Sequence, residues 1–211
     1  MENSNYFNSL PQAAMPVITI PDEQSVKPMI DALIAGGCKV LEITLRTPAG
    51  LLAIEYASQQ YPDIAVGAGS VVTADDWRAA VKAGAAFLVS PGASEGLYNE
   101  YKANPIPWLP GVANASDIIR AIENGLSQVK FFPASVLGGL PALKSYASVF
   151  PKIQFCPTGG VKPDAAKDWL SEKMIFAVGG SWFTPAQLVD ARDWQGLSDH
   201  VKSFWESNKD L

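Results

Sequence analysis

The sequence repeats one pattern eight times: a short apolar or β-branched run, a turn, and a stretch with apolar residues at helical spacing. The runs begin 19 to 25 residues apart, a length that holds one strand, one helix and two short loops. Because strands alternate with helices, we predict parallel strands joined by right-handed crossovers. The predicted strands lie near residues 16–20, 40–44, 64–68, 87–90, 106–110, 128–132, 153–157 and 175–179.

Eight strand–helix units predict an α/β fold, a single (β/α)8 TIM barrel that spans residues 1–211 as one domain. The first fifteen residues precede the first strand, and we expect an extra N-terminal helical segment there that covers the N-terminal end of the barrel. An open doubly wound sheet is the alternative. It is disfavoured because the first strand–turn–helix unit lacks the Gly-x-Gly-x-x-Gly motif of dinucleotide-binding sheets.

Helix boundaries are also marked in the sequence. Apolar residues at helical spacing predict a helix over residues 26–35, ended by the glycine pair that follows. Thr73 is a predicted N-cap, and either Asn114 or Ser116 is expected to begin a later helix. The last helix is predicted from Trp194 to Ser207.

Charge and composition restrict the class of partner and the compartment. The 21 acidic and 16 basic residues give a net charge of −5, so neither nucleic acid nor an anionic membrane surface is an expected partner. Residues 1–8 lack the profile of a signal peptide, and no apolar run approaches the ~18 residues of a membrane span. Cys38 and Cys156 could form one disulfide, but we expect free thiols in a reducing cytoplasm.

Lys130 lies within the apolar run Val129-Lys130-Phe131-Phe132. Burial there disfavours the charged form of the amine. A neutral amine attacks carbonyl carbon, as Schiff-base lysines do. The alternative is that the ammonium reaches the surface from an edge strand.

Alternation along the second strand places Glu42, Thr44 and Arg46 together on the inner face of the barrel. The same alternation on the sixth strand places Lys130 and Phe132 inside. A nucleophilic lysine, a carboxylate that moves protons and an arginine for a substrate carboxylate form a coherent set. A purely structural Glu42–Lys130 ion pair remains the alternative.

Glycine-rich turns follow the third, seventh and eighth predicted strands. Backbone N–H groups in such turns can approach an anion closely. The loops after barrel strands seven and eight are a frequent phosphate site, and both carry Gly-Gly here, with the Ser181 hydroxyl as a further donor. Because the chain has a single histidine, a metal site built on several imidazoles is excluded. An all-carboxylate Mg²⁺ site is the alternative, but no cluster of Asp and Glu lies at the predicted strand ends, and we expect no metal.

The segments around Lys130 and Glu42 resemble the 2-keto-3-deoxy-6-phosphogluconate / 4-hydroxy-2-oxoglutarate (KDPG/KHG) class I aldolase family. The two specific motifs are Gly37-x-x-x-x-Glu42-Ile43-Thr44-Leu45-Arg46 and Gly125-x-x-x-Val129-Lys130-Phe131-Phe132-Pro133-Ala134-x-x-x-Gly138. Supporting motifs are Gly67-Ala68-Gly69-Ser70-Val71, Ser90-Pro91-Gly92, Leu109-Pro110-Gly111, Thr158-Gly159-Gly160 and Gly179-Gly180-Ser181-Trp182. The resemblance runs in order from about residue 13 to 183.

The resemblance implies a lyase of carbohydrate metabolism, acting in the Entner–Doudoroff pathway as a homotrimer of small barrels without metal or organic cofactor. By it, Lys130 is the Schiff-base lysine and Glu42 the general acid and base. The implied substrate contacts are Arg46, Ser70, Pro91 and Thr158 for the 2-keto acid and Gly159, Gly160, Gly180 and Ser181 for a terminal phosphate.

Two departures from the family pattern bear on substrate range. Ser70 stands where the family usually has threonine, and Ser135 stands where an acidic residue is common. Two other functions remain alternatives: another enzyme on this scaffold, such as an aldolase for the galactonate epimer, and a barrel that binds phosphorylated metabolites without catalysis. Arg46 favours the gluconate type over the galactonate type.

Overall fold

The computed structural model describes residues 3–209, and strands alternate with helices along this range. The strands are β1 (Ala14–Ile18), β2 (Val40–Thr44), β3 (Ala65–Gly69), β4 (Phe87–Val89), β5 (Trp108–Leu109), β6 (Gly111–Val112), β7 (Gln128–Phe131), β8 (Gln154–Pro157) and β9 (Val178–Gly180). The α-helices are α1 (Asn3–Asn8), α2 (Glu23–Ala35), α3 (Ala49–Gln60), α4 (Ala74–Lys82), α5 (Glu95–Ala103), α6 (Ala115–Glu123), α7 (Gly139–Val149), α8 (Ala166–Leu170), α9 (Ala186–Asp190) and α10 (Trp194–Ser207).

All paired strands are parallel, and the sheet they form is curled, so the predicted α/β class is confirmed. Six strands run in the order β5-β4-β3-β2-β1-β9, and three run in the order β6-β7-β8. Isolated parallel bridges join Phe155 to Ile175 and Thr158 to Gly179, at the boundary between β8 and β9. The carboxyl ends of the strands therefore lie together at one edge of the sheet.

Three strands differ from their predicted bounds by more than one residue. β1 begins at Ala14, two residues before the predicted start, and β9 begins at Val178, three residues after it. The fifth predicted strand is divided into β5 and β6 on either side of Pro110. Proline has no N–H to donate to a ladder, yet the Pro110 carbonyl accepts the Lys130 N–H at 2.9 Å, so pairing with β7 continues across the break.

Side-chain caps fix the beginnings of several helices. Thr73 caps α4, as predicted, and also forms a capping box with Asp76. Asn114, one of the two candidates, accepts the Asp117 N–H and begins α6. The helix predicted from residue 26 begins at Glu23, because Asp22 accepts the Ser25 N–H and adds a turn.

Strand side chains divide into two buried layers. Leu41, Ile43, Val129 and Phe131 pack in the large cluster between the sheet and the helices. The opposite face of the strands contributes a smaller inner cluster, which Phe7 of α1 joins through an edge contact with Phe87 at 5.7 Å between ring centroids. The members of the inner cluster are Phe7, Met15, Val40, Phe87, Val89, Leu109, Cys156 and Ala177.

The two cysteines are unpaired and buried, so free thiols are confirmed. Burial raises the pKa of both thiols to about 12, and the thiol form is unreactive toward disulfides. We expect no labelling of the native protein by an aromatic disulfide reagent at pH 8, and labelling of two thiols after unfolding. Rapid labelling of the folded chain would contradict this placement.

No helix within residues 3–209 is long and apolar enough to cross a bilayer.

Candidate active site

Lys130 and Glu42 meet inside the curled sheet, as alternation along β7 and β2 predicts. The Lys130 Nζ donates a hydrogen bond to Glu42 Oε1 at 3.0 Å. Their side chains are only 5% and 2% exposed, so the two charges lie almost wholly out of water. The alternative in which Lys130 extends to the surface is therefore wrong.

A buried ion pair contributes little net stability, since the cost of removing two charges from water offsets their attraction. Breaking such a pair is costly, because one charge then remains buried without a partner. In the described part of the chain, Lys130–Glu42 is the ion pair with both side chains this deeply buried. It lies just above the inner apolar cluster, and Cys156 of that cluster pairs in register with Lys130.

Gly69 makes room for the Glu42 carboxylate. A Cβ atom built on Gly69 would overlap Oε1 and Cγ of Glu42, so the carboxylate lies directly against the backbone of β3. Any larger residue at this position would displace the carboxylate toward or away from Lys130. Gly69, which follows the third predicted strand, thus allows the Glu42 carboxylate to lie close to the backbone of β3. The sequence motif around Gly69 did not by itself indicate this contact.

A cavity of about 190 Å³ opens at the carboxyl ends of the strands, above the ion pair. Its wall combines the Arg46 side chain, the Phe132 ring and the two glycine loops predicted for phosphate. The lining residues are Val17, Arg46, Phe132, Thr158, Gly159, Gly160, Val161, Gly179, Gly180 and Ser181.

The glycine loop after β8 is tied to the loop after β7. The Ala134 N–H donates to the Thr158 carbonyl at 2.8 Å, and the Ser135 N–H donates to the Gly159 carbonyl at 3.0 Å. Gly159 and Gly160 have φ values of +92° and +77°, a region in which side chains are strained. A Cβ on Gly160 would also overlap the Ser135 hydroxyl. Because Lys130 lies in β7, these contacts between the two loops fix its distance from the glycine loop after β8.

Arg46 is oriented by Ser70. The Arg46 Nε donates to the Ser70 hydroxyl at 3.0 Å, across the ends of β2 and β3. Ser70 has φ +59°, an uncommon conformation for a residue other than glycine. With Nε held in this way, the terminal guanidinium nitrogens remain available as a bidentate pair for a carboxylate.

Thr158 lines the cavity, whereas Pro91 does not. Thr158 is buried and lines the cavity, and its hydroxyl fits beside Gly179, where a Cβ would overlap it. Pro91 does not line this cavity, although it follows β4 at the same edge of the sheet. Its backbone instead lies against Gly111, where a Cβ would overlap the Pro91 carbonyl. The structure thus brings Thr158, but not Pro91, to the cavity wall.

Phe132 and Thr44 received no role from the sequence. Phe132 lines the cavity, its ring centroid lies 5.4 Å from Lys130 Nζ, and its alternation with Lys130 was the available signal. Thr44 is fully buried on the inner face two residues after Glu42, and its hydroxyl shares a hydrogen bond of 2.8 Å with Thr19. Among residues 3–209, no three His, Cys, Asp or Glu side chains are grouped so that they could hold a metal ion.

Comparison with known proteins matches the chain almost from end to end. The family model described as KDPG and KHG aldolase matches residues 9–199. The 2-dehydro-3-deoxy-phosphogluconate aldolase of Pseudomonas aeruginosa is 47% identical over 180 residues, which cover 85% of this chain and 82% of that protein.

Two solved structures have nearly the same fold. The KDPG aldolase of Legionella pneumophila, with pyruvate captured as a covalent carbinolamine intermediate, has a TM-score of 0.89 at 35% identity and covers 97% of this chain and 98% of that one. The 2-keto-3-deoxy-6-phosphogluconate aldolase of Zymomonas mobilis with 3-phosphoglycerate has a TM-score of 0.84 at 44% identity, with 95% of each chain covered.

Proposed function

The chain belongs to the KDPG and KHG aldolase family, and on that premise we propose that Lys130 and Glu42 together carry out its reaction. The enzyme is a lyase that cleaves 2-keto-3-deoxy-6-phosphogluconate to pyruvate and glyceraldehyde 3-phosphate. It also cleaves 4-hydroxy-2-oxoglutarate to pyruvate and glyoxylate, the second substrate that the family's description includes. The observation that carries this proposal is the buried contact between Lys130 Nζ and Glu42 Oε1 at 3.0 Å.

The first step is attack of the neutral Lys130 amine on the C2 ketone of the substrate. Addition gives a carbinolamine. Glu42 then returns the proton it took from Lys130 to the carbinolamine hydroxyl, which leaves as water, so that a protonated imine and a Glu42 carboxylate remain. The Legionella relative holds pyruvate as a carbinolamine, which is the adduct that an amine forms with a ketone. Glu42 supports this step because its carboxylate can accept the proton that the Lys130 ammonium must lose.

The second step breaks the bond between C3 and C4. Glu42 takes the proton of the C4 hydroxyl, directly or through a water, while the bonding electrons move into the protonated imine and form an enamine. The aldehyde leaves. Glu42 then returns a proton to C3 of the enamine, and hydrolysis releases pyruvate and the free Lys130 amine. Glu42 thus alternates between base and acid, and no metal or organic cofactor takes part.

The two ends of the substrate occupy opposite parts of the cavity in this proposal. Arg46, held by Ser70, binds the carboxylate next to C2. Pro91 acts from outside the cavity wall, where its backbone packs against Gly111 and supports the region beside the carboxylate. Thr158 contacts the hydroxylated part of the chain. The phosphate binds to backbone N–H groups of the loops after β8 and β9, which contain Gly159, Gly160, Gly180 and Ser181.

Replacing Arg46 with glutamine is expected to lower kcat/KM about 10- to 100-fold, because the carboxylate loses a charge-assisted hydrogen-bonding partner. Both substrates have the same 2-keto acid end, so both should be affected equally. Steady-state cleavage of the two substrates measures this effect. The control is Arg120→Gln on the exposed face of α6, which should leave both rates unchanged. A selective loss for the phosphorylated substrate would place Arg46 at the phosphate instead.

Release of pyruvate from 2-keto-3-deoxy-6-phosphogluconate, its galactonate epimer and 4-hydroxy-2-oxoglutarate tests the function. Faster cleavage of the gluconate compound than of its epimer supports the proposal. Preference for the epimer supports the other aldolase, and binding of all three without pyruvate release supports a barrel that only binds phosphorylated metabolites.

We infer that residues 1–211 form one domain, in which β1 to β9 close into a full (β/α)8 barrel, β5 and β6 acting as one strand, with an added N-terminal helical segment. The enzyme is a homotrimer, and light scattering that gives the mass of a monomer would exclude this. It works in the cytoplasm, a reducing compartment in which its free thiols persist. Its products place it in the Entner–Doudoroff pathway.

A further inference from the structure

The aromatic ring of Phe132 lies beside the amine of Lys130. The Lys130 Nζ is 5.4 Å from the centroid of this ring and lies over its face. Phe132 immediately follows β7 and lines the cavity, whereas Lys130 lies deeper in the same strand. The amine therefore has a carboxylate on one side, at 3.0 Å, and the face of an aromatic ring on another.

The surrounding backbone restricts the position of this ring. The Phe132 N–H donates to the Val112 carbonyl at 3.2 Å, which fixes the backbone from which the Phe132 side chain extends. A Cβ built on Gly159 would lie 3.2 Å from Cδ2 and Cε2 of the ring, so the glycine loop packs against the ring edge. A ring packed in this way keeps its face toward Nζ without a large rearrangement.

A cation that lies over an aromatic face within about 6 Å of the centroid is attracted by the negative charge at that face. The attraction is larger where water is excluded, as around Lys130, whose side chain is 5% exposed. In the proposed reaction this nitrogen is positively charged as an ammonium, before it loses its proton to Glu42, and again as a protonated imine before C3–C4 cleavage. Glu42 changes its own charge during the same steps, whereas the ring cannot titrate.

We propose that the face of Phe132 stabilises the protonated imine on Lys130, so that Phe132 is a charge-stabilising residue of the reaction rather than only a wall of the cavity. This inference rests on the proposed Schiff-base function. The ring supplies an attraction for the protonated imine that stays the same while Glu42 exchanges protons with the substrate.

The test replaces Phe132 with phenylalanines that carry one, two and three ring fluorines. Each fluorine withdraws electrons from the face and weakens its attraction for a cation, with little change in ring size. We expect kcat/KM for cleavage, and the rate at which pyruvate becomes trapped by borohydride, to fall in even steps with each fluorine. The total fall should be about 5- to 30-fold, the range that a cation over an aromatic face supports.

The same series at Phe155 is the matched control. Phe155 is fully buried on the helix-facing side of β8, so fluorination there should leave both rates unchanged. Thermal melting confirms that each variant folds. A flat series at Phe132, with normal trapping in the unmodified enzyme, would overturn this inference and leave the Schiff-base function intact. Failure of the unmodified enzyme to trap pyruvate would overturn the proposed function and this inference with it.

Discussion

Replacing Lys130 with glutamine is expected to lower kcat/KM for 2-keto-3-deoxy-6-phosphogluconate by at least about 10⁴-fold. A loss of this size is typical when a covalent nucleophile is removed. The amide nitrogen of glutamine cannot add to the C2 ketone, so neither the carbinolamine nor the imine forms. Release of pyruvate in a coupled assay measures the loss. Cleavage at the normal rate by this variant would contradict the assignment of Lys130.

For the Lys130→Gln variant, a loss of folding stability must be distinguished from a loss of catalytic activity. Removing Lys130 leaves the Glu42 carboxylate buried without its cation, which costs about 3–5 kcal/mol of unfolding free energy. The double variant Lys130→Gln, Glu42→Gln replaces the ion pair with two neutral amides. We expect urea unfolding to show that the double variant regains much of the lost stability, while its activity stays absent. Stability and activity therefore change independently across these two variants.

The Glu42→Gln variant should lower kcat by about 10²- to 10⁴-fold, the range typical of removing a general acid or base. Glutamine can still hydrogen-bond to Lys130 but cannot accept the C4 hydroxyl proton or return a proton to the enamine. The Lys130 amine remains, so this variant should still form an adduct with pyruvate. The measurements are single-turnover cleavage and adduct formation, taken in parallel.

Glu100 provides a matched control for Glu42. It is a mostly buried carboxylate on α5 that pairs with Arg78 and does not line the cavity. Glu100→Gln removes a buried carboxylate of similar exposure and should leave kcat unchanged. Equal loss of kcat in the two variants would show that Glu42 acts through stability alone.

The alternation of side-chain direction along β2 and β7 predicted the contact between Glu42 and Lys130. Glu42 and Lys130 lie in strands whose other residues are apolar on the helix-facing side, so their inward direction followed from a period of two. Their separation along the chain did not hinder the prediction, because inward side chains of a curled parallel sheet converge. The glycine loops at the cavity followed from the same reasoning about strand ends.

Details that depend on backbone geometry could not be predicted. The left-handed conformation of Ser70, which directs its hydroxyl to Arg46, is set by the end of β3 and has no signal in the residue type. The break at Pro110 depends on which neighbour that part of the strand pairs with. The placement of Pro91 away from the cavity wall depends on its packing against Gly111, a contact between the segment after β4 and the start of β6.

Trapping with borohydride directly tests whether Lys130 forms a Schiff base with the 2-keto acid. The protein is incubated with pyruvate, reduced, weighed as an intact chain by mass spectrometry and then mapped by peptides. We expect one reduced pyruvyl group per chain, located on Lys130, and none when Lys130 is replaced with glutamine. No adduct, or an adduct on another lysine, would contradict it.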